Sequence, residues 1–156
     1  MDKRASYKEL LTELSVLLEN EVDIIACMAI IIAEIHPRFP YYLWTGFYRK
    51  IGEDELILAP YHGTPGCFRI AFGTGVCGTA AERKETIIVP DVHKFPDHIA
   101  CDTRSNSEIV VPVFNNKSDV IAVLDIDSED FNGFDEDDRE GLEEIVKLLK
   151  DKIILT

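Results

Sequence analysis

Apolar positions recur every three to four residues at both ends of the chain, and alternate or run together in its middle. The first pattern predicts helices. One opens at a capping box formed by Ser6 and Glu9 and ends near Leu18, and the next covers residues 22–35 with an almost wholly apolar face, which indicates burial. A last helix is predicted from near Asp135, because acidic residues in its first turn and lysines near its end complement the helix dipole.

The middle of the chain reads as strands and loops. Glycine-rich residues 61–78 predict loops, with a short helix over 75–83, and residues 90–107 form a long loop of the kind that is usually functional or disordered. The predicted strands cover residues 42–49, 55–59, 86–89, 109–114 and 120–127. Helices, then strands, then a helix predict an α+β fold, with helices on one face of an antiparallel sheet, in a single domain over residues 1–156.

Composition narrows the classes of partner. The chain has 156 residues, 46% of them hydrophobic, which suits a folded domain with a sizeable core. Its formal net charge of −13 argues against nucleic acid and against anionic membrane surfaces. The longest apolar run is well short of the ~20 residues of a membrane span, and the amino terminus lacks a secretory pattern, so we expect a cytoplasmic protein.

The cysteines divide into two kinds. Cys27 lies within an apolar helical stretch and should pack as a small hydrophobe, whereas Cys67, Cys77 and Cys101 lie in loop-like segments that favour reactivity. None of these three has the Cys-x2–4-Cys spacing of a zinc ligand pair. Two alternatives stay open: isolated half-buried thiols, and a zinc site built from these three cysteines and His98.

Acidic residues form a second candidate cluster. Asp125 and Asp127 are two positions apart on a predicted strand and therefore share a face, and Glu108 begins the neighbouring strand. Three carboxylates on one patch repel each other unless a cation, either a metal or an ammonium group, binds there. The alternative is that these acids simply face water at strand ends. Trp44, the only tryptophan, lies in an aromatic strand and could wall a small pocket.

Several stretches together resemble a known family, the free methionine-(R)-sulfoxide reductases, which are GAF-domain enzymes. The similarity covers nearly the whole chain, and the motifs occur in order. They are residues 44–48 (WTGFY), 66–70 (GCFRI), 73–78 (GTGVCG), 91–93 (DVH), 98–102 (HIACD), 105–112 (SNSEIVVP) and 123–128 (VLDIDS). Two positions depart from the family pattern: Gly66 stands where alanine is usual, and His62 where glutamine is expected.

The resemblance implies a fold, a reaction and a set of candidate catalytic residues. The fold would be a GAF domain with helices behind the sheet and a small pocket in front. Cys101 would attack the sulfoxide, Cys67 would resolve the oxidised sulfur, and Cys77 would be a third cysteine of open role. Thioredoxin would be the reductant, and neither a cofactor nor a metal is implied.

The resemblance also implies a substrate and the residues that hold it. The substrate would be free methionine-(R)-sulfoxide, whose α-ammonium an acidic cluster would favour over a peptide residue. The implied substrate-binding residues are Trp44, Glu108, Asp125 and Asp127. The apolar second helix leaves room for a homodimer. The alternative function is a GAF sensor of a small molecule or of redox state that binds without turnover.

Overall fold

The computed structural model describes residues 1–98 and 101–156. In this part of the chain, antiparallel strands form a six-stranded sheet of order β3-β2-β1-β6-β5-β4. The strands are β1 Trp44–Ile51, β2 Glu55–His62, β3 Arg69–Ala71, β4 Ile87–Val89, β5 Ser107–Phe114 and β6 Val120–Ser128. The α-helices are α1 Lys3–Leu17, α2 Ile24–Ile35, α3 Gly75–Arg83 and α4 Glu136–Val146. No helix within these ranges is long and apolar enough to cross a bilayer.

The α+β class and the antiparallel sheet are confirmed. Helices α1, α2 and α4 pack against the back of the sheet, where alternate residues such as Phe47, Leu124 and Ile126 complete one apolar core. Helix α3 lies on the front face, where Val76 and Ala80 pack in a second core. The short helix therefore covers the face on which the sequence placed a pocket, opposite to the other three.

The start of the first helix differs from the prediction. Helix α1 is capped by Asp2, whose side chain accepts a hydrogen bond from the Ala5 N–H at 3.1 Å, so the proposed capping box at Ser6 is wrong. An acceptor one turn earlier satisfies the free N–H groups first, and Ser6 becomes an interior helical residue. A capping box does exist at α4, between Asp135 and Asp138.

The glycine-rich segment holds a strand that the sequence analysis missed. β3 has only three residues and pairs with β2, which extends to His62. Such a short edge strand leaves too little alternation to detect. The predicted loop over residues 90–107 includes a 3-10 turn at Val92–Lys94, and its residues 99 and 100 lie outside the described residues.

Candidate active site

Strand register gathers the predicted binding residues on the front of the sheet. Asp127 on β6 lies opposite Trp44 on β1 and opposite Glu108 on β5, so the three side chains form one row. Asp125 precedes Asp127 by two positions and faces the same way, while Ile126 between them enters the back core. The structure therefore confirms that the three acids share one face.

A small cavity lies in front of this row, beneath the amino end of α3. Its volume is about 30 Å³, which holds little more than a water molecule. The predicted site residues on its wall are Trp44, Cys77, Cys101, Glu108, Asp125 and Asp127. Among the described residues that line it there is no lysine or arginine, so no protein cation offsets the acids.

Two of the candidate cysteines are joined at this cavity. Cys67 and Cys101 form a disulfide with a Cα–Cα distance of 5.8 Å. Cys101 is exposed and Cys67 half-buried, so the bond lies within reach of an external thiol. Because both sulfurs are used in the disulfide, the zinc site suggested for Cys67, Cys77, Cys101 and His98 is not assembled in this structure.

The other two cysteines are free and buried on opposite sides of the sheet. Cys27 lies in α2 within the back core, as predicted from its apolar neighbours. Cys77 is the third residue of α3 and is only 4% exposed. Its Sγ and one oxygen each of Glu108 and Asp125 lie within 4.8 Å of one another. The short helix predicted over residues 75–83 is confirmed as α3, and it holds Cys77 inside the acid cluster instead of in an exposed segment.

Trp44 forms one wall of the cavity and is fixed from three sides. Its Nε1–H donates to the Thr64 carbonyl at 2.7 Å. Its ring stacks with Tyr61 and Tyr48 at centroid distances of 5.5 and 6.0 Å. A buried, oriented indole of this kind suits contact with a methyl group or a cation.

Two glycines let the loop before Cys67 lie against the indole. Gly63 has a φ of +134°, and a Cβ there would lie 2.4 Å from Trp44 Cδ1, so only glycine fits. At Gly66 a Cβ would lie 3.0 Å from Tyr48 Oη and 3.1 Å from Trp44 Cζ2. Alanine at that position, which the resemblance led us to expect, therefore requires a shift of a few tenths of an ångström.

A polar link joins the two loops that carry the disulfide. Thr64 Oγ1 donates to Asp102 Oδ2 at 2.8 Å, and Arg104 donates to the same carboxylate at 2.8 Å. The Arg104 guanidinium, with help from Thr64, holds the pKa of Asp102 below its usual range, so this carboxylate stays ionised. Sequence reasoning missed the link because its partners lie on separate loops.

The three acids on the front face are disfavoured in their ionised form, because they are removed from water and repel one another. Glu108 and Asp125 are each 6% exposed, and among the described residues Asp125 Oδ1 has no hydrogen-bond partner. Burial raises the pKa of Asp125 to about 6, and burial together with the charge of Asp125 raises the pKa values of Glu108 and Asp127 well above their usual range. The cluster therefore holds protons near neutral pH, which suits an acid that must give one up.

His98 lies beside this cluster without neutralising it. Its Nε2 is 3.8 Å from Glu108 Oε2. Burial lowers the pKa of His98, so the imidazole is largely neutral at pH 7. A neutral imidazole leaves the negative potential of the cavity intact.

The fold and site define a class: an α+β domain with a cysteine pair and buried acids in the concave front of its sheet. A family model described as GAF domain matches residues 21–151. The chain is 46% identical over 147 residues to GAF domain-containing protein A of Dictyostelium discoideum, covering 94% of this chain and 92% of that one.

Relatives with a named activity match over similar lengths. The free methionine-R-sulfoxide reductase of Escherichia coli K12 is 40% identical over 156 residues, covering 100% of this chain and 93% of that one. A solved free methionine-R-sulfoxide reductase of Neisseria meningitidis, in complex with its substrate, is 44% identical with a TM-score of 0.91, over 96% and 89% of the two chains. The chain therefore belongs to the GAF domain family and is a homologue of the free methionine-R-sulfoxide reductases within it.

Proposed function

We propose that this protein reduces free methionine-(R)-sulfoxide to methionine. The observation that carries the proposal is the Cys67–Cys101 disulfide at a cavity walled by Trp44, the buried acids Glu108 and Asp125, and the half-buried Asp127. A reductase that cycles through a cysteine disulfide needs this pair beside its substrate pocket. The homologues named for this activity support the substrate assignment.

The first half-reaction consumes the sulfoxide. The Cys101 thiolate attacks the sulfoxide sulfur, and the oxygen takes a proton from a buried carboxylic acid. The hydroxyl is then transferred to the Cys101 sulfur as the methionine sulfur loses its bonds to oxygen and to Cys101, so that methionine leaves reduced by two electrons and Cys101 becomes a sulfenic acid. Both Glu108 and Asp127 are suited to supply the proton, because burial raises their pKa values and keeps them protonated near neutral pH.

The second half-reaction restores the enzyme. Cys67 attacks the Cys101 sulfenic acid, water leaves, and the disulfide forms. An external dithiol then exchanges with this disulfide and is itself oxidised, which returns two thiols. We assign that role to thioredoxin, and the exposure of Cys101 supports access by such a protein.

The acid cluster explains a preference for the free amino acid. An α-ammonium placed against Asp125 would neutralise a buried charge that lacks a protein cation. A methionine sulfoxide inside a peptide has an amide there and offers no such compensation. Trp44 would contact the methyl sulfoxide end. The cavity of the disulfide form holds little more than a water molecule, so the substrate would bind to the reduced form of the enzyme.

Location and assembly belong to the same proposal. A cytoplasmic setting would supply the reduced dithiol that the cycle needs. A homodimer was suggested by the apolar second helix, but most apolar side chains of α2 are buried within the chain, among them Met28, Ile31 and Ile35. Dimer formation stays a prediction that sedimentation of the purified protein would test.

Two variants test the assignment of the cysteines. Cys101→Ser should abolish methionine formation from the R-sulfoxide, since the attacking sulfur is gone. Cys67→Ser should release about one methionine per enzyme and then stop, because the sulfenic acid has no partner. Rapid-quench measurement of methionine per enzyme, with and without thioredoxin, separates the two.

Other outcomes would contradict the proposal. Sustained turnover by Cys67→Ser with thioredoxin would remove Cys67 as the resolving residue. Tight binding of the sulfoxide without any methionine, by wild-type protein with reduced thiols, would favour the sensor function instead. Equal activity on free and peptide-bound sulfoxide would refute the role given to the acid cluster.

A further inference from the structure

We propose that Cys77 is a positioning residue that, as a thiol, donates to Asp125 and takes no part in the redox cycle. The inference rests on the proposed reductase function and extends it to the third front-face cysteine. It makes one sulfur a fixed part of the substrate pocket and leaves the redox chemistry to the other two.

The geometry places the thiol beside a carboxylate that is short of hydrogen-bond donors. Asp125 is only 6% exposed, and its Oδ1 has no hydrogen-bond partner among the described residues. The Cys77 Sγ, one carboxylate oxygen of Asp125 and one of Glu108 all lie within 4.8 Å of one another. A thiol is a weak donor, and an unpaired buried carboxylate oxygen makes even a weak donor useful.

Two opposing effects act on the Cys77 sulfur. Its place in the first turn of α3 exposes it to the positive end of the helix dipole, which by itself favours a thiolate. Burial and the neighbouring charges of Asp125 and Glu108 act the other way, and they prevail, so that the pKa of Cys77 lies well above its usual range. The sulfur therefore keeps its proton at neutral pH, and a protonated thiol is a poor nucleophile.

The backbone under Cys77 is also held in place. Gly78 N–H donates to the Thr74 carbonyl at 3.1 Å, and Gly73 N–H donates to the Gly78 carbonyl at 2.8 Å. A Cβ at Gly78 would lie 2.3 Å from the Ala71 carbonyl oxygen, so the first turn of α3 packs directly on β3. Cys67, in contrast, lies on a loop and is already bonded to Cys101. Rigid placement suits a positioning group and hinders a resolving one.

By donating to Asp125, the Cys77 thiol would favour the ionised form of this carboxylate over the neutral form. Donation to a carboxylate stabilises its ionised form and so lowers its pKa relative to an Asp125 without that donor. Without the donor, a smaller fraction of Asp125 is ionised at pH 7, and the ammonium of the substrate binds less tightly. The loss should shrink as the pH rises, because Asp125 then ionises even without help.

The test compares Cys77→Ala, which removes the donor, with Cys77→Ser, which keeps one. The matched control is Cys27→Ser, which changes the buried thiol of the other core. We expect Cys77→Ala to raise KM for methionine-(R)-sulfoxide about twofold at pH 6 and only about 1.2-fold at pH 7, with kcat unchanged within about 1.5-fold. Cys77→Ser and the control should stay within about 1.3-fold of wild type in KM at both pH values.

A second readout does not depend on turnover. Fluorescence of Trp44, the single tryptophan, should report ionisation of the neighbouring acids during a pH titration. Cys77→Ala should move that transition to higher pH by about half a unit, and Cys77→Ser should not. If wild-type protein lacks activity but the shift appears, the proposed function fails while the role of Cys77 stands.

Three results would overturn the inference. The first is loss of turnover in Cys77→Ser as complete as in Cys101→Ser. The second is a disulfide or sulfenic acid at Cys77 in a mass-spectrometric map after one turnover. The third is one equivalent of a divalent metal in the purified protein that disappears in Cys77→Ser, which would make Cys77 a ligand with Glu108 and Asp125.

Discussion

Asp138 and Asp125 are both buried carboxylates, but only the first is surrounded by donors. Asp138 is fully buried and accepts from Tyr7 at 2.7 Å, from Tyr41 at 2.5 Å and from the Lys3 ammonium at 2.6 Å. It also accepts from the backbone N–H of Asp135. Asp125 has the same chemistry and similar burial, yet its Oδ1 has no partner among the described residues.

The difference separates a structural carboxylate from one kept for a ligand. Four donors around Asp138 offset the free-energy cost of burying its charge, and they connect α1 to α4 at the back of the sheet. On the front face the desolvation of Asp125 is at most partly offset within the protein, because its Oδ1 has no hydrogen-bond partner among the described residues. Uncompensated burial of this kind costs stability and is typical of functional sites, where a substrate group supplies the missing charge.

The largest expected effect is on stability at the back of the sheet. Asp138→Ala would leave the Lys3 ammonium and the hydroxyls of Tyr7 and Tyr41 without their acceptor. We expect a loss of about 3 kcal/mol in the free energy of unfolding, measured by urea denaturation at pH 7. Sulfoxide reduction below the unfolding transition should be unchanged, because this cluster is not part of the front cavity.

Asp135→Ala provides the control for that variant. Asp135 is exposed, caps α4 and also contacts Lys3, so its loss should cost only about 1 kcal/mol. An equal loss in the two variants would show that the surrounding donors contribute little, and the contrast with Asp125 would then fail.

A change at Asp125 should have an effect of intermediate size, and it should stabilise the protein instead of destabilising it. Asp125→Asn removes an unpaired buried charge, so we expect the free energy of unfolding to rise by about 1 to 2 kcal/mol at pH 7. The same change should raise KM for the sulfoxide at least about tenfold, since the ammonium loses its anion. A stability gain with a binding loss would mark Asp125 as functional, and a stability loss would refute that view.

The contribution of Asp125 to the free energy of unfolding should also depend on pH. The pKa of Asp125 is raised on folding, so the folded state binds more protons than the unfolded state above about pH 4. The contribution of Asp125 to stability is therefore complete below about pH 4 and is lost as the pH rises through about 6. Wild type and Asp125→Asn should have similar stability near pH 4 and diverge towards pH 7.

Much of the front face could be predicted from the sequence. Strand alternation places Asp125 and Asp127 on one side regardless of the rest of the fold, and the register then brings Glu108 opposite Asp127. The position of Cys77 could not be predicted in this way. It lies between Val76 and Gly78 in a short glycine-rich segment, and the acids close to it belong to β5 and β6, which are remote in sequence.

The back-face cluster was missed for a related reason. Asp138 appears in the sequence as one acid among several in the first turn of a helix, where a solvent-exposed role is the ordinary expectation. Only the packing of α1 on α4 brings Tyr7 and Lys3 to it. Local patterns identify the elements, but partners that are distant in sequence decide which carboxylate is satisfied.

The smallest expected effect tests how evenly the donors of Asp138 share that task. Tyr41→Phe removes one hydroxyl and leaves the Tyr7 hydroxyl, the Lys3 ammonium and the Asp135 N–H as donors, so we expect a loss of about 1 kcal/mol in the free energy of unfolding. Tyr7→Phe is the matched variant. It should cost somewhat more, because Tyr7 is more deeply buried and its hydroxyl also contacts that of Tyr42 at 2.6 Å.

These two variants set the scale for a single donor at a buried carboxylate. If Tyr41→Phe destabilises the protein as much as Asp138→Ala, the cluster has no redundancy, and Asp138 resembles Asp125 more than the contacts indicate. If the loss stays near 1 kcal/mol, several donors share the stabilisation of Asp138. A single weak donor at Asp125, as proposed for Cys77, would then offset only a small part of the desolvation of that carboxylate, and the substrate ammonium would offset most of it.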